Sequence, residues 1–253
     1  MSERKIALIT GGSRGLGRDT ALRLADRGVD VILTFHSRNA DADAVVAEIE
    51  RRGGRAVALQ LDTADAASFP QFADAVQAQL QSIWQREQFD YLVNNAGIGA
   101  NSPFAETTEA QFDLLMAVHF KGVYFLTQRL LPLIADGGRI VNISSGLARF
   151  SFPGYSAYAA MKGAVEVLSR YWAKELGARG IAVNTVAPGA IATDFSQGTV
   201  RDNPEVNAYI ASQTALGRVG EPEDIGGVIA SLLSEDNRWI NAQRIEASGG
   251  MFL

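Results

Sequence analysis

The chain has 253 residues, of which 47% are hydrophobic and 20% charged, an ordinary globular composition with ample length for a sizeable core. A net charge of −5 without a basic block argues against a nucleic-acid partner. The absence of Cys excludes disulfides, thiol catalysis and Cys-ligated metal, and the two His, His36 and His119, lie too far apart in sequence to suggest a metal site.

Met1-Ser2-Glu3-Arg4-Lys5 runs straight into the apolar stretch Ile6 to Thr10, with no signal-like segment and no spanning-length apolar run. A soluble, cytoplasmic protein without a membrane partner is the expectation. Ile6 to Thr10 reads as a strand buried on both faces. Thr10-Gly11-Gly12-Ser13-Arg14-Gly15-Leu16-Gly17 follows, then a helical pattern that stops at Gly28. Strand, glycine-rich turn and helix make a dinucleotide-binding arrangement. The glycines admit a pyrophosphate to the backbone, and the helix N-terminus offers N–H donors. The spacing is Gly-x-x-x-Gly-x-Gly, and a turn without a ligand is the bland alternative.

Val31 to Phe35 reads as the second strand. A site for NAD usually ends this strand with an acid that binds the ribose 2′-hydroxyl. Here Phe35 is followed by His36, Ser37 and Arg38, and Arg14 sits in the glycine loop. Two guanidinium groups and a hydroxyl without a carboxylate suit a 2′-phosphate, so NADP(H) is favoured over NAD(H). The alternative is that both arginines merely face solvent.

A helix over about 40–52 leads to a third strand at Ala56 to Leu61, ending in Asp62-Thr63. Asp62 could accept from an adenine amino group or cap the next helix. That helix runs from about Ala66 towards Trp84. The fourth strand, Phe89 to Val93, ends in Asn94-Asn95-Ala96-Gly97, where small residues allow close packing against an adenosine and Asn can tie strands together. Thr108 and Gln111 form a capping box, opening one long helix to about Ile134. The fifth strand, Gly138 onward, ends in Ser144-Ser145.

The next helix carries Tyr158-Ala159-Ala160-Met161-Lys162. Tyr and Lys four apart share a helix face. An ammonium near a phenol favours the phenolate, which predicts a Tyr158 pKa lowered towards working pH. Ser145 adds a hydroxyl thirteen residues earlier, and the three together could protonate and polarise a carbonyl oxygen. Alone, the spacing is at chance level. A sixth strand at Ile181 to Val186 leads to Pro188-Gly189 and on through Ile191 and Thr193. Residues 194–217 read as a mobile lid, part of a substrate loop near 190–217. Glu221 opens another helix, and a last strand lies near Gln243 to Ala247. Alternating strands and helices predict one α/β domain over 1–253, a doubly wound, mostly parallel seven-stranded sheet of Rossmann type with helices on both faces.

Over essentially its whole length the chain resembles the short-chain dehydrogenase/reductase family in its short single-domain branch, and within it the bacterial 3-oxoacyl-carrier-protein reductases. Gly11, Gly15, Gly17, Asp62, Asn95-Ala96-Gly97, Ser145, Tyr158, Lys162 and Pro188-Gly189 through Thr193 carry the resemblance. It implies that Tyr158 is the general acid for ketone reduction and base for alcohol oxidation, and that Ser145 holds the substrate oxygen. It further implies that Lys162 lowers the Tyr158 pKa and binds the nicotinamide ribose, and that Thr193 and the backbone after Pro188 hold the carboxamide and pyrophosphate. A small-molecule carbonyl or secondary-alcohol substrate is expected, with a 3-oxoacyl thioester, steroid, sugar or xenobiotic ketone all open.

If a carrier protein docks, Arg129, Arg149 and Arg170 could supply charge. A homotetramer is implied, with interfaces at residues 108–134 plus the Tyr158 helix, and at the last helix and strand with Phe252-Leu253. One departure stands out: His119 in Val118-His119-Phe120-Lys121-Gly122 replaces the family's Asn, whose residue supports a water chain behind the Lys. His119 either supports that relay structurally, titrates near neutral pH and gates it, or marks a damaged relay. The rival classes are a non-catalytic NADP(H)-binding sensor or scaffold and a sugar-nucleotide epimerase or dehydratase.

Overall fold

The structure is a computed structural model that describes residues 4–253. The leader-free start read at Met1-Ser2-Glu3, and the first three positions of the expected domain, lie outside the described residues. Seven strands form one sheet in the order β3-β2-β1-β4-β5-β6-β7. They are β1 (Ile6–Ile9), β2 (Asp30–Phe35), β3 (Ala56–Gln60), β4 (Phe89–Asn94), β5 (Ile134–Ile143), β6 (Ala182–Pro188) and β7 (Arg244–Ala247). Every adjacent pair is parallel, from β1 with β2 and β4 outward to β6 with β7. Parallel strands need crossovers, and these carry helices to both faces.

One face is covered by α1 (Gly15–Asp26), α2 (Asn39–Arg51) and α9 (Pro222–Leu232), where Leu24, Ile49 and Ile229 pack on Ile9, Leu33 and Val141. The other is covered by α3 (Phe69–Gln79), α5 (Gly122–Leu130) and α6 (Ser156–Glu175), where Phe72, Leu126 and Trp172 meet Leu8, Leu92 and Ile140. Two buried carboxylates tie down the N-terminal edge of the sheet. Asp30 accepts from Trp84 Nε1 at 2.8 Å and the Arg55 amide at 2.9 Å, and Asp90 accepts from Lys5 and the Ile6 amide, both at 2.9 Å. Burial alone would raise both acids, but these donors outweigh it and hold them below the usual carboxylate range.

Two expectations are corrected. The segment from Thr108 is not one helix to Ile134. It is α4 (Glu109–Met116), a π-helical turn over Ala117–Lys121, α5, and a 3-10 turn over Leu131–Leu133, and Ile134 already belongs to β5. The capping box of Thr108 and Gln111 is present. One local and one tertiary feature accompany the breaks. Pro132 cannot extend an α-helix, and at Gly122 the chain passes so close to Thr63 that a Cβ would stand 2.1 Å from its carbonyl oxygen. Residues 194–217 are not a loop either. They hold a 3-10 turn (Phe195–Gly198), α7 (Thr199–Asp202) and α8 (Pro204–Ser212), the last capped by Asn203 through the amides of Glu205 and Val206. Asn203-Pro204 is a helix-start signal hidden by weak apolar periodicity.

Candidate active site

The strand order reverses at β1 and β4, which places a crevice outside their C-terminal ends. A cavity of about 1360 Å³ opens there. It is lined by every residue assigned above to catalysis or cofactor binding except Gly17. Gly17 lies beneath the floor, where a Cβ would stand 2.2 Å from the Gly11 carbonyl oxygen and 2.6 Å from Asn95 Nδ2. The loop can therefore fold back on α1 only with glycine at that position.

Asn95 holds the loop from the other side, donating from Nδ2 to the carbonyls of Thr10 at 2.8 Å and Gly11 at 3.0 Å. Asn94 ties β4 to β5 and α5 through Asn142 at 2.8 Å and Thr127 at 3.0 Å. The N-terminus of α1 has no side-chain cap. Its free N–H groups and positive dipole end, beside a glycine cradle, fit the pyrophosphate of a dinucleotide.

At the β2 end, Arg14, His36, Ser37 and Arg38 converge on the cavity as expected. Asp62 uses Oδ1 to accept from the Ala64 amide at 2.8 Å, while its other oxygen stands 3.7 Å from His36 Nε2. It thus serves its turn and faces the cavity together. Sequence reasoning missed a third participant. Asp194 pairs with Arg14 at 3.0 Å and lies 3.7 Å from Arg38.

The opposite end of the cavity holds Ser145, Tyr158 and Lys162. Ser145 follows β5 and its Oγ accepts from the Leu147 amide at 3.2 Å. Lys162 Nζ lies 5.6 Å from the Tyr158 ring centroid and donates to the Ile143 carbonyl at 2.8 Å. Behind them, Ser144 donates to Glu166 at 2.6 Å, and Glu166 pairs with Arg244 at 2.7 Å. Arg244 reaches the Ser145 carbonyl at 3.3 Å, so a charged network backs the serine. It was not legible in the sequence, because its members come from α6, β7 and the β5 end.

The expected tuning of Tyr158 by Lys162 is corrected. Burial pushes the Tyr158 phenol well above its ordinary value, although the neighbouring Ser145 hydroxyl opposes this. Burial also pulls the Lys162 ammonium down to about 7. In the protein alone the phenol therefore keeps its proton, the form that a proton donor to a ketone requires.

His119 is fully buried in the π-helical turn and stands edge-on to the Tyr158 ring, with centroids 5.1 Å apart. Its Nε2 lies 2.8 Å from the Ile98 carbonyl oxygen and 3.3 Å from the Ile98 amide nitrogen; the shorter contact assigns the ring proton to Nε2, and Nδ1 has no partner among the described residues. Burial, and then the nearby Lys162 charge, lower the imidazole to about 3. That shift argues against gating by titration near neutrality and leaves structural support and a damaged relay as the readings of His119.

A stability prediction follows from the sign of that shift. The unfolded chain binds a proton at His119 near its ordinary 6.5, whereas the folded chain does so only near 3. Stability from this group is complete above 6.5 and is lost as pH falls through that window. At pH 4.5 the loss is roughly 2–3 kcal/mol. His119→Asn should recover that share of the acid loss, read as a smaller drop in urea midpoint between pH 7 and pH 4.5. The same variant should leave the pH–rate profile unshifted.

The lid completes the chamber around Tyr158. Phe195 brings its ring to 5.9 Å from Tyr158, and Phe152 stands 6.1 Å from Tyr155 and 6.3 Å from Tyr209 of α8. Phe252 packs on Phe150 at 5.0 Å and borders the cavity while remaining 36% exposed. Among the described residues no helix is long and apolar enough to cross a membrane.

Comparison with known proteins agrees with this geometry. The family model described as enoyl-(acyl carrier protein) reductase matches residues 11–252. A 3-oxoacyl-[acyl-carrier-protein] reductase of Staphylococcus aureus is 36% identical over the full length of both chains. Among solved structures, the reductase LugOII, described as catalysing keto-reduction at C1 during lugdunomycin biosynthesis, has a TM-score of 0.93 and 40% identity and covers 98% of each chain. The angucycline C-6 ketoreductase LanV, solved with bound NADP, has a TM-score of 0.93 and 38% identity, covering 98% of this chain and 95% of its own.

Proposed function

Because this chain belongs to the short-chain dehydrogenase/reductase family and is an oxidoreductase of it, we propose that it is an NADP(H)-dependent ketone reductase with Tyr158 as general acid. The observation that carries this reading is the single cavity that joins Ser145, Tyr158 and Lys162 at one end to the glycine loop, Arg14 and Arg38 at the other. NADPH supplies a hydride to the carbonyl carbon. Gly11 to Gly17 and the start of α1 receive its pyrophosphate, Arg14 and Arg38 its 2′-phosphate, and Thr193 its carboxamide.

Ser145 donates to the substrate oxygen and fixes it beside the phenol. Tyr158, kept protonated by burial, delivers its proton to that oxygen as negative charge develops. Lys162, buried and near 7, holds the ribose and restores the proton along the path that His119 supports by anchoring Ile98. In the reverse direction Tyr158 accepts the proton of an alcohol. The cytoplasm, where NADPH is available to such an enzyme, is the proposed location.

The substrate is read from the chamber walls. Phe150, Phe152, Tyr155, Phe195 and Tyr209 surround the Tyr158 end. Rings of this kind favour a flat aromatic ketone, which stacks with offset or edge-on geometry. The structurally similar LugOII and LanV are keto-reducing enzymes, the latter for an angucycline. The acyl-carrier reading has support in the family description but less in the surface. Arg149 is engaged by Glu246 at 3.2 Å, and Arg170 by the Glu166 carbonyl at 3.2 Å.

The test is a panel of fused aromatic ketones and a 3-oxoacyl thioester, each with NADPH and NADH. Turnover of the aromatic ketones with NADPH is expected. No turnover of any ketone, with cofactor still bound, would leave the sensor or scaffold reading in its place.

A homotetramer is part of the proposal. Phe112 and Phe125 on α4 and α5, with Val167 and Tyr171 on α6, present apolar surface, and Trp239 and Leu253 are 96% and 95% exposed near the last strand. Sedimentation at micromolar protein should give four times the monomer mass. A monomer there would remove the assembly without touching the chemistry.

A further inference from the structure

Guanidinium groups from three separate elements meet at one carboxylate, that of Asp194. Arg14, from the glycine loop, donates to Oδ2 at 3.0 Å. Arg38, beyond β2, stands 3.7 Å from the same oxygen, and Arg201 of α7 holds Oδ1. Two guanidiniums carried by different strand ends repel unless an anion lies between them. Here a side chain of the protein fills that role.

Asp194 is also the first residue of the lid. Before it, the Thr193 methyl lies over Gly15, within 3.6 Å of where a Cβ would stand. After it come Phe195, against Tyr158, and two non-glycine residues in the left-handed region, Ser196 at φ 51° and Gln197 at φ 59°. Such backbone is disfavoured and persists only where its surroundings impose it. The start of the lid is thus held by two consecutive residues, Asp194 on Arg14 and Arg38 and Phe195 against the catalytic phenol.

We propose that Asp194 is an internal stand-in for the 2′-phosphate: it occupies the anion position between Arg14 and Arg38, yields it to the phosphorylated cofactor, and so moderates cofactor preference and couples it to the seating of residues 195–203. This rests on the reading of Arg14 and Arg38 as the 2′-phosphate site. A phosphate monoester brings more charge and more acceptor oxygens than one carboxylate, so it wins the exchange. A cofactor without the phosphate offers nothing to displace Asp194 and binds with the pairing intact. Asp194 therefore competes with the phosphorylated ligand alone, lowering its apparent affinity by the fraction of molecules in which the site is taken.

The probes are 2′,5′-ADP and 5′-ADP, which carry or lack the phosphate but have no nicotinamide. Exposed ion pairs are individually weak, so Asp194→Asn should tighten 2′,5′-ADP by about three- to tenfold, with 5′-ADP changed by less than about twofold. Removing a negative charge could favour any anion, so a second readout is needed. In the wild type, 2′,5′-ADP should raise amide hydrogen exchange across residues 195–203, because Asp194 is released. In Asp194→Asn it should not.

Unchanged 2′,5′-ADP affinity in the variant, or tightening without the wild-type exchange response, overturns the proposal. Arg14→Ala separates this failure from that of the underlying reading. If the wild type prefers 2′,5′-ADP and Arg14→Ala abolishes the preference, the phosphate site stands whatever Asp194 does. If the wild type shows no such preference, the phosphate site itself is lost.

Discussion

Replacing Tyr158 with Phe is expected to lower kcat for ketone reduction by about 10²- to 10⁴-fold, the usual contribution of a positioned general acid, while the dissociation constant for NADPH stays within a few-fold. The substitution removes one oxygen and keeps the ring. That ring is what His119 meets edge-on at 5.1 Å and Phe195 at 5.9 Å, so the packing that shapes the chamber survives. What disappears is the phenol that shares the cavity with Ser145 and has Lys162 Nζ 5.6 Å from its ring centroid. Tyr155 also lines the cavity, and its ring faces Phe152.

The measurement is steady-state turnover of the best ketone from the panel, beside a fluorescence titration of NADPH. A loss under tenfold would mean that another group delivers the proton. Ser145→Ala distinguishes the two hydroxyls. It removes the oxygen that orients the carbonyl but leaves the acid, so its loss should fall on kcat without abolishing Tyr158-dependent proton transfer.

Much of this site was legible because each component sits at a strand end with its own local signature. Gly11 and Gly15 take left-handed φ values of 67° and 52°, Gly17 has no room for a Cβ, and Ser145 to Lys162 follow one strand and one helix face. The capping box at Thr108 was legible for the same reason, being complete within four residues. What the sequence did not disclose depends on distance in the chain or on burial. The pairing of Asp194 with Arg14 spans 180 positions, and the network from Ser144 through Glu166 to Arg244 spans 100. The direction of the Tyr158 shift depended on burial. The i to i+4 spacing placed Lys162 near the phenol, but desolvation is the leading cause of the shift of each group. The helix from Thr108 was read as continuous because its apolar periodicity crosses the π-helical turn, and the close approach of Gly122 to Thr63 that accompanies this turn is tertiary.

Removing both Arg14 and Arg38 should reverse cofactor preference. The double alanine variant is expected to raise the NADPH dissociation constant by about 10²- to 10³-fold and to change that of NADH by less than about fivefold. A hydrogen bond to a charged group contributes about 1.5–3 kcal/mol, and two that share one phosphate do not add fully, which sets the upper limit below the product of the single effects. Selectivity follows from what else lies at this end of the cavity. Phe35 ends β2 where a ribose-binding acid would stand, so that end of β2 supplies no carboxylate for the 2′-hydroxyl of NADH in either protein.

Folding is not at risk. The Arg14 and Arg38 side chains are about half exposed, and Arg14 caps α1 without a side-chain hydrogen bond. Asp194 would keep Arg201 as its partner, which limits the lid's response to the lost arginines. Equal weakening of NADPH and NADH would show that the two residues shape the glycine loop rather than bind a phosphate. A wild type that already prefers NADH would remove the phosphate-binding role and leave Arg14 paired with Asp194, and Arg38 with Asp41 and Asp194.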